Sequence, residues 1–427
     1  MEVFNTYDED ESTKMNIIAM SFFLACSMIG AGTLTLNSSF SNMGWLLGFI
    51  GMLLLAVITA VSLIILDENL NISAEKGSIA AIFNKYKVFK YLINVCIAVS
   101  GFLTTFYYYS LVIDFSMSLF NMLKLGPQIG ILFNVLFNLV IIAFLLFLLL
   151  KNIKENKFTA YAMITSLSVV MLSLLGLLCY FGSTVNSIAT TQAIFSLNAF
   201  KAFSNMVFAF SFQQTYPCLI PSLRNSNAYR KRITIVLAVS LGFIFYSIFG
   251  LLGYFLFGAV NSNIITSFTD IYYNIPDENK VEKILFLSFS IFFKIVFSFI
   301  LLMAIVFQSI ASKNSATELF KTVIRNEKVL SYGISTFQVS CFLIFGLTQI
   351  NPESFLSILG VFIEPFINFI LPAIATIIFI RKRVYFLSSA IVLIVLTIGI
   401  SGFSISSMIS QHLTSSNNTT QAFNITE

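Results

Sequence analysis

IGAGTLTL, Ile29 to Leu36, and FAFSFQQTYP, Phe208 to Pro217, decide how this chain is read. Each lies inside a long apolar run, and each holds backbone that resists an unbroken helix. The first places Gly30 and Gly32 beside Thr33 and Thr35; the second leads through polar Ser211, Gln213 and Gln214 into Pro217. Broken helices survive at membrane depth only where protein buries the freed backbone groups or a watery cavity bathes them. Taken singly, the glycines could serve close helix packing and the proline could be a plain kink. Together they fall in the first and sixth apolar runs, corresponding members of two five-helix halves, as expected of an inverted repeat with a site at its centre.

The surrounding sequence supplies the other spans. Of 427 residues, 57% are hydrophobic and 10% charged, with 48 Phe and a single Trp, a composition outside the range of soluble domains. With roughly 20 apolar residues needed per crossing, the sequence predicts eleven helices: Met15 to Met43, Trp45 to Leu66, Phe89 to Phe120, Gln128 to Leu150, Phe158 to Phe181, Asn198 to Leu219, Ile233 to Phe257, Ile284 to Ile310, Leu330 to Gln349, Phe355 to Ile380 and Tyr385 to Ile409. The domain reading is a cytosolic acidic tail over 1–14, a transmembrane body over 15–409 and a tail on the opposite side over 410–427. MEVFNTYDEDESTK is too acidic, and the following run too long, for a cleaved signal peptide. Cys26, Cys96, Cys179, Cys218 and Cys341 all fall in apolar runs, with neither zinc spacing nor a disulfide framework.

Lys and Arg set the orientation. One set of alternate loops carries Lys76, Lys85, Lys87 and Lys90, then Lys151, Lys154 and Lys157, then Arg224, Arg230, Lys231 and Arg232, then Lys313, Lys321, Arg325 and Lys328, then Arg381, Lys382 and Arg383. The other set holds only Lys124, Lys201, Lys280 and Lys283. Positive loops stay cytosolic, so the N-terminus is expected inside and the C-terminus extracellular or lumenal. Sequons at Asn417, Asn418 and Asn424 agree with that side. The net charge of +5 follows from this loop bias and calls for no nucleic-acid partner. No nucleophile constellation, metal cluster or phosphate loop points to an enzyme or to a cofactor.

At each break, half-helix N-termini offer free N–H groups to an anion, and the opposing C-termini offer carbonyls to a cation. A zwitterion such as an amino acid suits both. The same stretches resemble signatures of the amino acid/auxin permease family, which includes vacuolar and sodium-coupled neutral amino-acid transporters. IGAGTLTL with GWLLG, Gly44 to Gly48, is similar to the family's first helix and the start of its second. FAFSFQQTYP with Ser222 to Arg224 is similar to the sixth, YYSLVID, Tyr108 to Asp114, to the end of the third, and GLLGYFLFG, Gly250 to Gly258, to the seventh.

The resemblance implies an all-α LeuT-type fold, a 5+5 inverted repeat plus an eleventh helix, and amino-acid transport by alternating access. The implied substrate contacts are Met28, Gly30, Gly32, Thr33, Tyr108, Phe208, Ser211 and Gln213, with Tyr107 and Tyr109 turned to other faces. A packed aromatic is the competing reading of Tyr108. Asn37 and Ser38 stand where the family usually has Pro and Tyr, and Gln213 where His is frequent, which removes a titrating group. The eighth-span stretch ILLMAIV, Ile300 to Val306, lacks the hydroxyls expected of sodium-coupled members, so the coupling ion is read as a proton ahead of sodium, with facilitated exchange beside it. A non-transporting sensor and an ion channel stay open as other classes, and either the plasma membrane or a vacuolar or lysosomal membrane fits.

Three ionisable residues lie within spans: Asp114, Lys294 and Glu364. Such groups are functional candidates by default. Lys294 and Glu364 each lie about ten residues, roughly 15 Å, from the outer helix ends. They are expected to pair, as a gate that releases a proton or as a permanent bridge.

Overall fold

The computed structural model describes residues 14–73, 77–122, 127–150, 157–181, 197–257, 280–348, 359–380 and 384–423. In chain order the helices are α1 (Ile17–Met28), α2 (Leu36–Met43), α3 (Trp45–Ile72), α4 (Lys87–Met122), α5 (Pro127–Leu150), α6 (Lys157–Phe181), α7 (Leu197–Ala209), α8 (Tyr216–Leu219) and α9 (Ala228–Phe257). They continue with α10 (Lys280–Phe320), α11 (Glu327–Thr348), α12 (Leu359–Phe379) and α13 (Val384–Phe423).

Pairing α1 with α2 and α7 with α8 recovers the expected units. Among the described residues, seven helices are long and apolar enough to cross a membrane, and the bent pair of α1 with α2 makes an eighth. α6 and α13 hold shorter apolar stretches, Ile164–Leu177 and Val384–Gly399. α13 runs on to Phe423, past its expected end at Ile409. Asn417 and Asn418 therefore lie in that helix, while Asn424 lies outside the described residues.

Apolar residues wrap these helices on every side. On α3, Ile50, Leu53, Leu54 and Val57 are exposed while Met52, Leu55 and Ile58 are buried. Such a helix is stable only where its outer face also meets an apolar medium. Gly44, at φ 78, turns the chain from α2 into α3, a left-handed backbone that favours glycine.

The two broken spans lie side by side, α2 on α7, with α9 packed along α1 and α2. α4 and α10 form a long antiparallel pair on which a Cβ at Gly101 would fall 2.5 Å from Ser312 Cβ. α12 opens with π-helical turns, Leu359–Ile363 and Phe366–Ile370, on either side of Glu364 and Pro365. Such turns redirect side chains and recur at functional sites. Here a Cβ at Gly360 would meet Ser204 O at 2.6 Å, so α12 presses on α7 just before the second break.

Candidate functional site

Both stretches singled out in the sequence are unwound. α1 ends at Met28, the backbone is extended at Ile29 and Gly30, and a tight 3-10 turn over Ala31–Thr35 leads into α2. The two halves are bent by 61°. Close approach explains both glycines. A Cβ at Gly32 would lie 2.7 Å from Ala209 Cα, so the first break rests on the end of α7. A Cβ at Gly30 would lie 2.2 Å from the Tyr108 hydroxyl oxygen, which fixes Tyr108 of α4 against the break.

The second break is built from side chains that bond their own backbone. Ser211 Oγ donates to Val207 O at 2.8 Å, Phe212 N–H donates to Gln213 Oε1 at 2.9 Å, and Thr215 Oγ1 donates to Phe212 O at 2.7 Å. Pro217 is no mid-helix kink. It stands in the first turn of α8, where a missing N–H costs nothing.

One side chain that the sequence reading passed over joins the two breaks. The Tyr246 hydroxyl of α9 lies 2.8 Å from Met28 O and 2.6 Å from Ala209 O, the carbonyls that close α1 and α7. A tyrosine in an aromatic-rich run carries no distinctive signal, which is why pattern alone did not find it. Tyr107 corrects a second expectation. Its ring does not turn away from the site but stands edge-on to Phe208, with centroids 6.1 Å apart. Tyr109 does turn away, and its hydroxyl bonds Asn138.

Several polar atoms here are buried without a hydrogen-bond partner: Thr33 Oγ1, both amide atoms of Asn37, and Gln213 Nε2. Thr33 lies near the Tyr246 hydroxyl but outside bonding geometry. Each such group carries a desolvation penalty of about 1–3 kcal/mol until something polar meets it.

The charged residues do not fall as expected. Lys294 and Glu364 are not paired. Lys294 Nζ donates to Ser118 Oγ at 2.7 Å, while Glu364 Oε1 accepts from Ser100 Oγ at 2.5 Å. Both serines are on α4, about eighteen residues and so roughly 27 Å apart along the helix. Counting depth from the outer helix ends did not bring them together, because α10 and α12 meet α4 at different levels. Glu364 is buried, takes a second bond from Asn368 Nδ2 at 2.7 Å, and lies close to Ser211 in the second break. Asp114 is exposed on α4. In α10, Ile300, Leu301 and Met303 to Val306 are buried, and the first polar side chains follow at Gln308 and Ser309. Gln214 Nε2 donates to Gln308 Oε1 at 3.3 Å, and Gln338 Nε2 bonds both Thr105 Oγ1 at 2.9 Å and Ser309 Oγ at 3.1 Å.

Two adjacent unwound spans held by a helical frame are the architecture of a polytopic membrane transporter. The solved structure of MhsT in complex with L-phenylalanine superposes with a TM-score of 0.60 at 14% identity, over 92% of this chain and 98% of that one. The fold is thus LeuT-type. The profile of the transmembrane amino acid transporter protein family matches residues 13–412. The chain belongs to that family, and it is a transporter, not an enzyme. No curated protein sequence matches the chain.

Proposed function

We propose that the protein carries neutral amino acids by alternating access, binding them between the two breaks and coupling to protons or exchanging without an ion. The observation that carries this reading is the set of buried, unpartnered polar atoms at Thr33, Asn37 and Gln213 beside two unwound backbones. A zwitterion answers both backbones: its carboxylate meets the opening N–H groups of the Ala31–Thr35 turn, and its ammonium meets carbonyls at the ends of α1 and α7. Tyr108, Tyr107 and Phe208 give the side chain an aromatic wall, and Met28 and Gly32 shape the floor. MhsT was solved with phenylalanine, which agrees with an uncharged cargo.

Glu364 is the proposed proton site. The groups facing its carboxyl are Ser100 of α4, Asn368 of its own helix and Ser211 of the second break, all neutral. A carboxyl held only by neutral donors gains and loses charge with one proton, and Ser211 passes that change to the substrate-binding backbone. Asp114 and Lys294 are assigned to the outer part of the pathway. The basic loops put the N-terminus in the cytosol, and the far side carries Asn417, Asn418 and Asn424. A glycosidase-sensitive mobility that disappears when the three are changed to Gln checks that assignment.

Counterflow in reconstituted vesicles tests the core of the reading. Labelled neutral amino acid should exchange against unlabelled, sodium removal should leave the rate unchanged, and an inward proton gradient should raise net uptake. Glu364→Gln should abolish the gradient response while counterflow persists. A strict sodium requirement would overturn proton coupling, and absence of trans-stimulation with every amino acid would overturn the carrier.

A further inference from the structure

The broken spans are tied together a second time, at the end of the bundle where α1 begins. Met15 N–H donates to Ser222 O at 2.9 Å and Arg224 N–H donates to Met15 O at 2.9 Å, so the residues leading into α1 pair with the turn that follows α8. Beside this clasp, the Asp67 carboxylate at the end of α3 accepts the Tyr216 hydroxyl at 3.1 Å and Lys231 Nζ at 3.0 Å. Asn71 completes the ring, with its Oδ1 2.8 Å from Lys231 Nζ and its Nδ2 3.2 Å from Asp67 Oδ2. Tyr216 is the first residue of α8, and Lys231 lies in the first turns of α9.

Asp67 is buried and Lys231 half-buried, with side-chain exposures of 4% and 13%. Two charges taken out of water hold together only when every partner is in place, and removing one partner leaves the other stranded. When the helices part, water reaches both ions and replaces Tyr216 and Asn71 as their solvation. Such an ion pair is stable closed and tolerable open, whereas a plug of apolar side chains would resist wetting. The two elements it locks are also short. α8 with its following turn spans only Tyr216 to Ser222, and α1 is twelve residues long, so each can swing about its break.

We infer that Asp67, Lys231 and Tyr216, with the Met15–Arg224 clasp, form the gate that closes the substrate pathway at the N-terminal end of the bundle, and that this gate opens by separating Asp67 from Lys231. The inference rests on the carrier reading and adds residues to it that lie away from the substrate.

Cys218 of α8 is a native reporter: it is half-buried and its thiol donates to Gly77 O at 3.3 Å. In vesicles whose cytosolic face is outward, carrying the whole protein with Cys26, Cys96, Cys179 and Cys341 replaced by serine, the rate of Cys218 labelling by a membrane-impermeant maleimide reads gate opening. Asp67→Asn and Lys231→Met should each label about tenfold faster than the parent. The double exchange Asp67→Lys with Lys231→Asp should return to within about twofold of it. Unchanged labelling in the single variants, or a double exchange as fast as either, would overturn the gate. Should the variants fail to reach the membrane, the parent decides alone. Saturating it with whichever amino acid gives counterflow should alter Cys218 labelling by at least about twofold as the conformer populations shift, and a constant rate sinks the gate. Lack of counterflow with any amino acid rejects the carrier reading instead, a separate outcome.

Discussion

The two breaks reach the same shape by opposite means. The first is made mainly by omission: Gly30 and Gly32 lack the Cβ that would strike Tyr108 and Ala209, one side chain, Thr35, bonds its own backbone at Gly32 O, and the freed carbonyl at Met28 is answered from another helix by Tyr246. The second is made by addition: Ser211, Gln213 and Thr215 each bond backbone within four residues of themselves. A break held from outside is conditional on its neighbours, and one that holds itself is not. The first break therefore leans more on its neighbours than the second, which shares the Tyr246 hydroxyl at Ala209 O but keeps its own side-chain bonds when α8 swings. Unpartnered buried atoms lie on both spans, at Thr33 and Asn37 on the first and at Gln213 Nε2 and Gln214 Oε1 on the second.

Substitutions that fill the omitted space should do the most damage. Gly32→Val places its Cβ 2.7 Å from backbone at Ala209, an obstacle that cannot rotate away. Uptake should fall by about 100-fold or more at equal membrane abundance, the scale of loss that an ångström of misplacement brings. Gly30→Ala meets the end of a side chain, 2.2 Å from the Tyr108 hydroxyl. It should cost about tenfold, and adding Tyr108→Phe should recover part of the loss relative to Tyr108→Phe alone. A Gly32 variant that transports normally would remove the contrast between the breaks.

Tyr246→Phe comes next. It leaves the carbonyls of Met28 and Ala209 without their shared donor. Stranding buried acceptors costs about 1–3 kcal/mol, and because the cost falls on the junction of both spans, uptake should drop about tenfold with the fold intact by thermal melting. An undiminished rate would show that the first break keeps its shape without help from α9.

The breaks themselves were legible in the sequence because helix-resisting residues inside apolar runs have one physical outcome in a membrane. Eleven apolar runs were legible for the same reason, and most helix ends lie within a few residues of expectation. What joins the breaks was not legible. Tyr246 looks like any aromatic among Phe243, Phe245 and Phe249, and its role comes from a tertiary position that periodicity does not encode. In the sequence Lys231 reads only as a basic loop charge and Asp67 draws no notice, since sequence gives no measure of their burial. The Lys294 and Glu364 pairing failed for a third reason: a residue's distance from the end of its own apolar run does not say at what level that helix meets its neighbours.

The smallest effect is the one that isolates the second break. Thr215→Ala removes the donor to Phe212 O, yet the same carbonyl still accepts Thr215 N–H at 3.0 Å and Tyr216 N–H at 3.3 Å. A hydrogen bond lost where two others persist costs about 0.5–1.5 kcal/mol at most. Melting temperature should fall slightly, and uptake should stay within about threefold of the parent. The comparison turns on this variant as much as on Gly32. If Thr215→Ala were as damaging as Tyr246→Phe, the second break would be no more self-sufficient than the first.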